Sequence, residues 1–340
     1  MSRSASVAGG PGAARLAAAA LPLALALLLA AVPLFGLGPN VIRLLFVTLV
    51  WVTTSVAWNI LGGITGQVSF GFAVFYGLGA YTAALLIRGG TPPLLAFLAA
   101  GAVATVASLV VGIPTFRLRG PYFAIATIGV SEAVRVTMNN LAFTGGASGY
   151  RIVERVPFNQ MTHYYSALAL AALAIAVSIL VVRSKFGLGL MAVREDEDAA
   201  ADLGLNPFKY KLLAHALAAA LTGMAGGVFA RYAGFIHPGG VFAFNTSVSI
   251  LLMPVIGGLG TVWGPVIGGL IYGTVQEQLV AAFPNLHLLL YGSLLIVIIL
   301  FEPKGIVGLV GRLARWAAGS RRQAVPVAAR GASTGTGVES

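Results

Sequence analysis

Long runs of apolar residues, separated by short polar stretches, leave this chain few ways to fold. Of its 340 residues, 58% are hydrophobic and only 9% are charged, whereas a soluble domain carries roughly 25% charged residues. So few charges cannot cover a water-facing surface. The expectation is an all-α integral membrane protein. A helix crosses a hydrocarbon core of about 30 Å with about 20 residues, because each residue rises about 1.5 Å. About ten stretches meet that length, at roughly 16–37, 41–62, 68–87, 92–113, 121–139, 163–183, 209–233, 243–258, 262–283 and 286–302. The stretches 68–87, 121–139 and 243–258 are the weakest and are candidates for broken or re-entrant helices. The first stretch is longer than the apolar region of a signal peptide, about 7–15 residues, and is expected to stay as a helix.

The net charge of +11 does not point to nucleic acid, because the basic residues lie between apolar runs and in the tails. Their distribution fits orientation by the positive-inside rule. One side takes Arg3, Arg15, Arg117, Arg119, Arg183, Lys185, Arg194, Lys209, Lys211, Lys304, Arg312, Arg315, Arg321, Arg322 and Arg330, which is 15 of the 21. The other side, or the spans near it, takes Arg43, Arg88, Arg135, Arg151, Arg155 and Arg231, the remaining 6. Both termini are therefore expected in the cytoplasm. The division that follows is a cytoplasmic tail at 1–15, a transmembrane domain at 16–311 with a cytoplasmic loop at 184–208, and a basic tail at 312–340 without a packed core. Thr91-Pro92 and Asn206-Pro207 read as helix caps followed by proline at the first helical position. Glu302-Pro303-Lys304-Gly305 reads as the stop of the last span.

Several chemistries are disfavoured. There is no cysteine, hence no disulfide framework and no thiolate site. His163, His215, His237 and His287 are far apart, and no pair has helix-spaced ligand geometry, so no metal site is expected. The four lysines are followed by Phe186, Tyr210, Leu212 and Gly305, none of which fits the Lys-Ser/Thr of a phosphate-binding loop. No bound cofactor and no catalytic residue are expected, and any use of ATP needs a separate subunit. An intramembrane enzyme would need a nucleophile and base, paired acids or metal ligands within reach of one another.

Five segments carry information. Asn59 to Thr82 places Asn59, Thr65, Gln67 and Ser69 in an apolar setting, followed by small residues at helical spacing, Ala73/Gly77 and Gly79/Ala83. Small residues let membrane helices approach closely, and glycines beside polar side chains allow a helix to break where it lines a cavity. Arg117-Leu118-Arg119-Gly120-Pro121 reads as a headgroup anchor, and beyond it Glu132 and Arg135 are spaced to pair on one helix face. Ala192 to Gly204 reads as one short helix stopped by Gly204, either solvated or a docking surface for a cytoplasmic partner. Phe242 to Gly273 holds Ser247 and Ser249, with small-residue pairs Gly264/Gly268 and Gly269/Gly273; Gly223/Gly227 adds a third. Glu277 reads as a water-facing residue of an outer vestibule. Two glycine hairpins recur, at 62–67 and 257–261, as in transporters with interrupted helices around a central pathway.

GITGQVSFGFAVFYGLGAYTAALL, RLRGPYFAIATIGVSEAVR, TGGASGY, AVREDEDAAADLGLNPFKYKLLAHALAAALTGMAGG, VIGGLGTVWGPVIGG and FEPKGIVGL stand in this order along the chain. The series resembles the LivM-type permeases of branched-chain amino acid ABC importers, over roughly residues 40–310. The resemblance implies a bacterial plasma-membrane subunit that moves leucine-, isoleucine- or valine-type amino acids by alternating access. It implies a second related permease subunit, two cytoplasmic ATPases that consume the ATP, and an extracytoplasmic binding protein. It places ATPase docking on Arg194, Glu195, Glu197, Ala199, Ala200 and Gly204. Asn59, Thr65, Gln67, Ser69, Thr127, Ser247 and Ser249 are the polar candidates for the pathway. Phe72 and Ser148 depart from relatives that often carry His and Asp or Asn there. Related carriers of urea, amides or other amino acids are the alternative. A stand-alone secondary transporter or channel would normally show a relay of intramembrane acids or histidines.

Overall fold

Proline, asparagine and glycine mark where the helices start and stop. In a computed structural model of the chain, residues 38–152 and 158–282 are described, with residues 28–31, 33, 36, 286, 289, 292–293 and 305–308. Helix α1 (Pro39–Asn59) has proline at its first position and runs into a π-helical turn at Ile60–Ile64. Residues 65–71 are not helical. They lead into α2 (Phe72–Arg88), α3 (Pro93–Thr115) and α4 (Pro121–Asn140). Two short 3-10 turns and strand β1 (Tyr150–Arg151) precede α5 (Gln160–Arg183). Helices α6 (Lys185–Glu195) and α7 (Glu197–Asp202) form the long polar loop. The central helix α8 (Pro207–Ala233) follows, then β2 (Phe235–Ile236), α9 (Pro238–Val241), α10 (Phe244–Gly257) and α11 (Trp263–Ala282). β2 pairs antiparallel with β1, Tyr150 opposite Ile236, and closes one end of the bundle. The α6–α7 pair lies at the other end.

Helix α8 is the hub, packing on α1, α2, α3 and α5. Its register is set by small residues. A Cβ added at Gly226 would sit 2.0 Å from the Tyr76 carbonyl oxygen, and one at Gly79 would sit 2.0 Å from that of Gly223. The backbones of α2 and α8 are therefore nearly in contact, the arrangement that lets helices associate when lipid removes the hydrophobic drive. The two glycine pairs of α11 serve different neighbours. Gly268 faces the Met253 carbonyl of α10, while Gly269 and Gly273 face Val52 and Thr48 of α1. Apolar side chains fill the core along the bundle, from Phe46, Tyr81 and Phe242 near the β1–β2 end to Trp58, Phe72 and Leu190 towards the other.

Among the described residues, five helical stretches are long and apolar enough to cross a membrane: Pro39–Ile64, Pro93–Thr115, Gln160–Arg183, Pro207–Ala233 and Pro238–Gly257. The chain is thus a multi-pass, predominantly helical membrane protein. The stretch expected at 68–87 is a 17-residue helix that begins only at Phe72, and that at 243–258 is a 14-residue helix. The spans expected at 16–37 and 286–302 fall almost wholly outside the described residues, as do the tails at 1–15 and 312–340, His287, Arg155 and the stop at Glu302–Lys304. The side chain of Glu277 also lies outside them.

Two local expectations are corrected. Asn206 caps α8, accepting from the Lys209 N–H at 3.1 Å, but Thr91 does not cap α3: Pro92 holds the cap position and Pro93 the first turn. The 192–204 segment is two helices, because Asp196 is extended (φ −158°) and its carboxylate accepts from the N–H groups of Asp198 and Ala199 at 2.9 and 3.0 Å. A local side-chain acceptor outcompetes the helical path there.

Gly79→Ala is expected to destabilise the protein by about 1–3 kcal/mol, the cost of overpacking a close helix contact. Gly38→Ala, at φ −61° with open space around it, is expected to leave thermal unfolding in detergent unchanged.

Candidate functional site

The two glycine hairpins meet at the α6–α7 end of the bundle. The π turn at the end of α1 places Asn59 beside the loop that joins α10 to α11. Its amide nitrogen donates to the Thr261 carbonyl at 2.9 Å, and its amide oxygen accepts from the Gly260 N–H at 2.9 Å. Both functions of the buried amide are thereby used. Arg194, at the end of α6, donates from Nη1 to the Gly63 carbonyl at 2.6 Å. A Cβ at Gly260 would lie 2.4 Å from that Nη1, and one at Gly66 would lie 2.9 Å from the Arg194 Cγ. Gly66 (φ +78°) and Gly260 (φ +74°) are also left-handed, so glycine is required twice over. One arginine of the polar loop thus sits against both hairpins.

The break at 65–71 is held by side chains from three directions. Thr65 Oγ1 donates to the Ile60 carbonyl at 2.8 Å, and Trp58 Nε1 donates to the Ser69 carbonyl at 2.9 Å. Ser69 Oγ accepts from the Gly71 N–H at 3.2 Å. From α4, Thr127 Oγ1 accepts from the Phe70 N–H at 3.1 Å. From α10, Ser247 Oγ accepts from the Ala73 N–H at 2.9 Å and satisfies the start of α2. Asn59, Thr65, Ser69, Thr127 and Ser247 are buried to 2% exposure or less. Ser249 stands apart and accepts from the Tyr272 hydroxyl. Gln67 points to the polar loop, donating to Glu197 Oε1 at 3.0 Å.

The α6–α7 segment is fixed to the bundle by ion pairs. Lys211 of α8 is 3% exposed and donates to both Glu197 oxygens at 2.9 and 2.8 Å. Arg119 makes a bidentate pair with Asp198 at 3.1 and 3.0 Å on the surface. Its hydrogen bond to Asp198, and then the Asp198 and Glu197 charges, push its pKa further up. Exposed pairs of this kind are screened and add little to stability. Phe186 stacks on Tyr210, whose ring fills the space left by Gly189, and this seats α6 on α8. Glu195 and Ala199 are exposed with Arg194, whereas Ala200 is buried at 2% exposure and anchors α7. Gly204 (φ +85°) ends α7. A cavity of about 540 Å³ opens beside α7, lined by Phe116, Arg117, Arg119, Asp198, Leu205 and Lys211 among others.

Sequence reasoning did not single out Lys211, Asp198 or Leu203. Lys211 reads as one more basic residue at a helix start, and only its burial against Glu197 sets it apart. Leu203 is 83% exposed at the end of α7, an apolar residue in an otherwise polar loop. Phe72 is fully buried against the rings of Trp58, Phe75 and His215, while Ser148 is exposed in the turn before β1.

A helical membrane bundle with an interrupted helix is an arrangement that transporters use, and here a polar two-helix loop is tied to the interruption. The chain matches the family described as branched-chain amino acid transport system / permease component over residues 40–299, and it belongs to that family. It is 30% identical over 291 residues to the high-affinity branched-chain amino acid transport system permease protein LivM of Salmonella typhimurium, covering 76% of this chain and 68% of the relative. It is 29% identical over 304 residues to LivM of Escherichia coli, covering 80% and 71%. LivH of Salmonella typhimurium, the second permease protein of that name series, is 32% identical over 127 residues, 37% of this chain and 40% of the relative. No solved structure matches the chain.

Glu197→Ala is expected to leave the Lys211 ammonium buried without a partner and to cost about 3–5 kcal/mol. The double variant Glu197→Ala/Lys211→Met is expected to recover most of that loss. Asp198→Ala is expected to leave the melting temperature unchanged. Thermal unfolding of the three purified variants checks all of this.

Proposed function

We propose that this chain is a permease subunit of an ATP-driven importer that carries branched-chain amino acids across the bacterial plasma membrane. The observation that carries the reading is the family match across residues 40–299, nearly all of the apolar core. In this reading the chain has about ten spans with both termini cytoplasmic, and 16–311 is the transmembrane domain. A second related permease completes the pathway, an extracytoplasmic protein delivers substrate, and two ATPase subunits bind the α6–α7 loop. The chain itself binds no ATP and performs no covalent chemistry.

The docking segment in this reading is Arg194, Glu195, Glu197, Ala199, Ala200 and Gly204, of which Ala200 is buried and seats α7 behind the others. Two of them face inwards as well as outwards: Arg194 bonds the hairpin at Gly63, and Glu197 bonds Lys211 and Gln67. A push on the loop from an ATPase therefore acts on the break at 65–71 through short hydrogen bonds. Asn59, Thr65, Gln67, Ser69, Thr127, Ser247 and Ser249 are the polar groups around that break and the adjoining helices, and movement there opens or closes the route. ATP and the loaded binding protein drive the cycle only by favouring different permease states.

Uptake of labelled leucine is expected to be lost on deletion of the gene and restored by the wild-type chain. Unlabelled isoleucine and valine are expected to compete, and urea and small amides are not. Glu195→Lys, on an exposed face of α6, is expected to lower uptake about tenfold or more, with the protein still in the membrane, because a charge reversal at an interface repels the partner. Normal leucine uptake in the deletion strain, with no redundant carrier present, would refute the branched-chain assignment.

A further inference from the structure

Two long helices present exposed faces that differ in one respect: α4 carries an ion pair among exposed apolar residues that include Tyr122, Ile125, Ile128 and Val136, and α3 carries none. Helix α3 exposes Leu94, Leu98, Val103, Val106, Val110 and Ile113, each at least 41% exposed, and this apolar set suits lipid. Helix α4 differs. It has 20 residues, yet buries only Phe123, Thr127, Ser131 and Met138. It is not among the described helices apolar enough to cross a membrane on composition alone. Ile125, Gly129, Glu132 and Val136 recur at helical spacing on its open side. Ile125 is 64% exposed, and a Cβ added at Gly129 would meet nothing within 4 Å.

Glu132 and Arg135 form a two-pronged ion pair on this helix, with Nε donating to Oε2 at 2.8 Å and Nη2 donating to Oε1. Their side chains are 54% and 31% exposed. Glu132 lies eleven residues after Pro121, about 16 Å along the helix. With Pro121 at headgroup level, beside Arg117 and Arg119, that depth is near the middle of a hydrocarbon core of about 30 Å. Ionisable groups at that depth face protein or water, because facing lipid is expensive. The ion pair thus points to protein or water, not lipid, beside this part of α4.

We propose that this stripe of α4 is a wall of the translocation route, and that Glu132 and Arg135 receive the α-ammonium and α-carboxylate of a zwitterionic amino acid in transit. The proposal rests on the amino-acid import reading above. Such a substrate carries one positive and one negative group on a single carbon. In the absence of substrate the pair satisfies itself. With substrate present, the ammonium donates to a Glu132 oxygen and the carboxylate accepts from the Arg135 fork. Every charge keeps a partner through the exchange, so the station passes the molecule on without holding it tightly. Ile125 and Val136 flank the pair and leave an apolar wall for a branched side chain.

The absence of cysteine from this chain makes the test direct, since a single cysteine is then the chain's one thiol and its labelling is read on the separated subunit. In the assembled importer, Ile125→Cys, Gly129→Cys and Val136→Cys are expected to react with a charged, membrane-impermeant methanethiosulfonate about tenfold faster than Val106→Cys and Val110→Cys, because only a wetted position admits the reagent. Leucine is expected to slow the reaction at residue 129. Equal rates on the two helices overturn the assignment of the face, whatever the substrate proves to be. Glu132→Gln and Arg135→Gln, combined with the cysteine at 129, are expected to abolish the protection by leucine and to lower leucine uptake about tenfold or more, the usual scale for losing a charged contact. Protection that survives both substitutions overturns the role of the pair. A wild-type importer that takes up no leucine refutes the import reading instead, and the comparison of labelling rates still decides the face.

Discussion

A backbone that leaves the helical path where protein packs around it needs partners from the protein for the N–H and C=O groups it frees. The structure is arranged around one such place, residues 65–71. Asn59, Trp58, Thr65, Ser69, Thr127 and Ser247 are drawn from α1, from the break itself, from α4 and from α10. Each makes a hydrogen bond that ties down the break, the start of α2 or the loop that the break meets. The break in turn settles where α2 begins and how far the α10–α11 loop approaches. The close glycine contacts of α2, α8 and α11 hold these pieces at fixed spacing.

The same place is where the polar loop meets the membrane domain. Arg194 reaches the first hairpin and lies against the second, and Glu197 ties α7 to Lys211 and Gln67. A buried charge pair is poor evidence of stability by itself, since its desolvation offsets much of the attraction. Here its geometry has a second consequence: α7 cannot shift without disturbing either Lys211 or the residue beside the break. A handful of short hydrogen bonds thus joins the polar loop directly to the interrupted helix. The surface pair Arg119–Asp198 adds orientation at the edge of the same loop.

The two exposed faces give the bundle a direction. Helix α3 offers aliphatic side chains, and α4 offers a glycine, an ion pair and a few apolar residues. In the proposed reading, the α3 face meets lipid and the α4 face meets a polar cargo.

The apolar runs by themselves determined the class: a helical membrane protein, with helices close to the expected positions at 41–62, 92–113, 121–139, 163–183, 209–233 and 262–283. That follows because helix length and hydropathy are local properties, set by rise per residue and side-chain transfer into hydrocarbon. The ordered glycine-rich blocks were also legible, and they pointed to the family. Three features were not. Asp196 splits the polar loop in two, which depends on one carboxylate finding two N–H groups. Lys211 is buried rather than solvated, which depends on Glu197 arriving from another helix. The two glycine hairpins meet through Asn59 and Arg194, residues separated from their partners by more than a hundred positions. Local patterning decides which segments become helices in lipid. Which polar side chain satisfies which distant backbone group is decided only when the helices pack, because a hydrogen bond depends on distance and angle and the sequence pattern specifies neither.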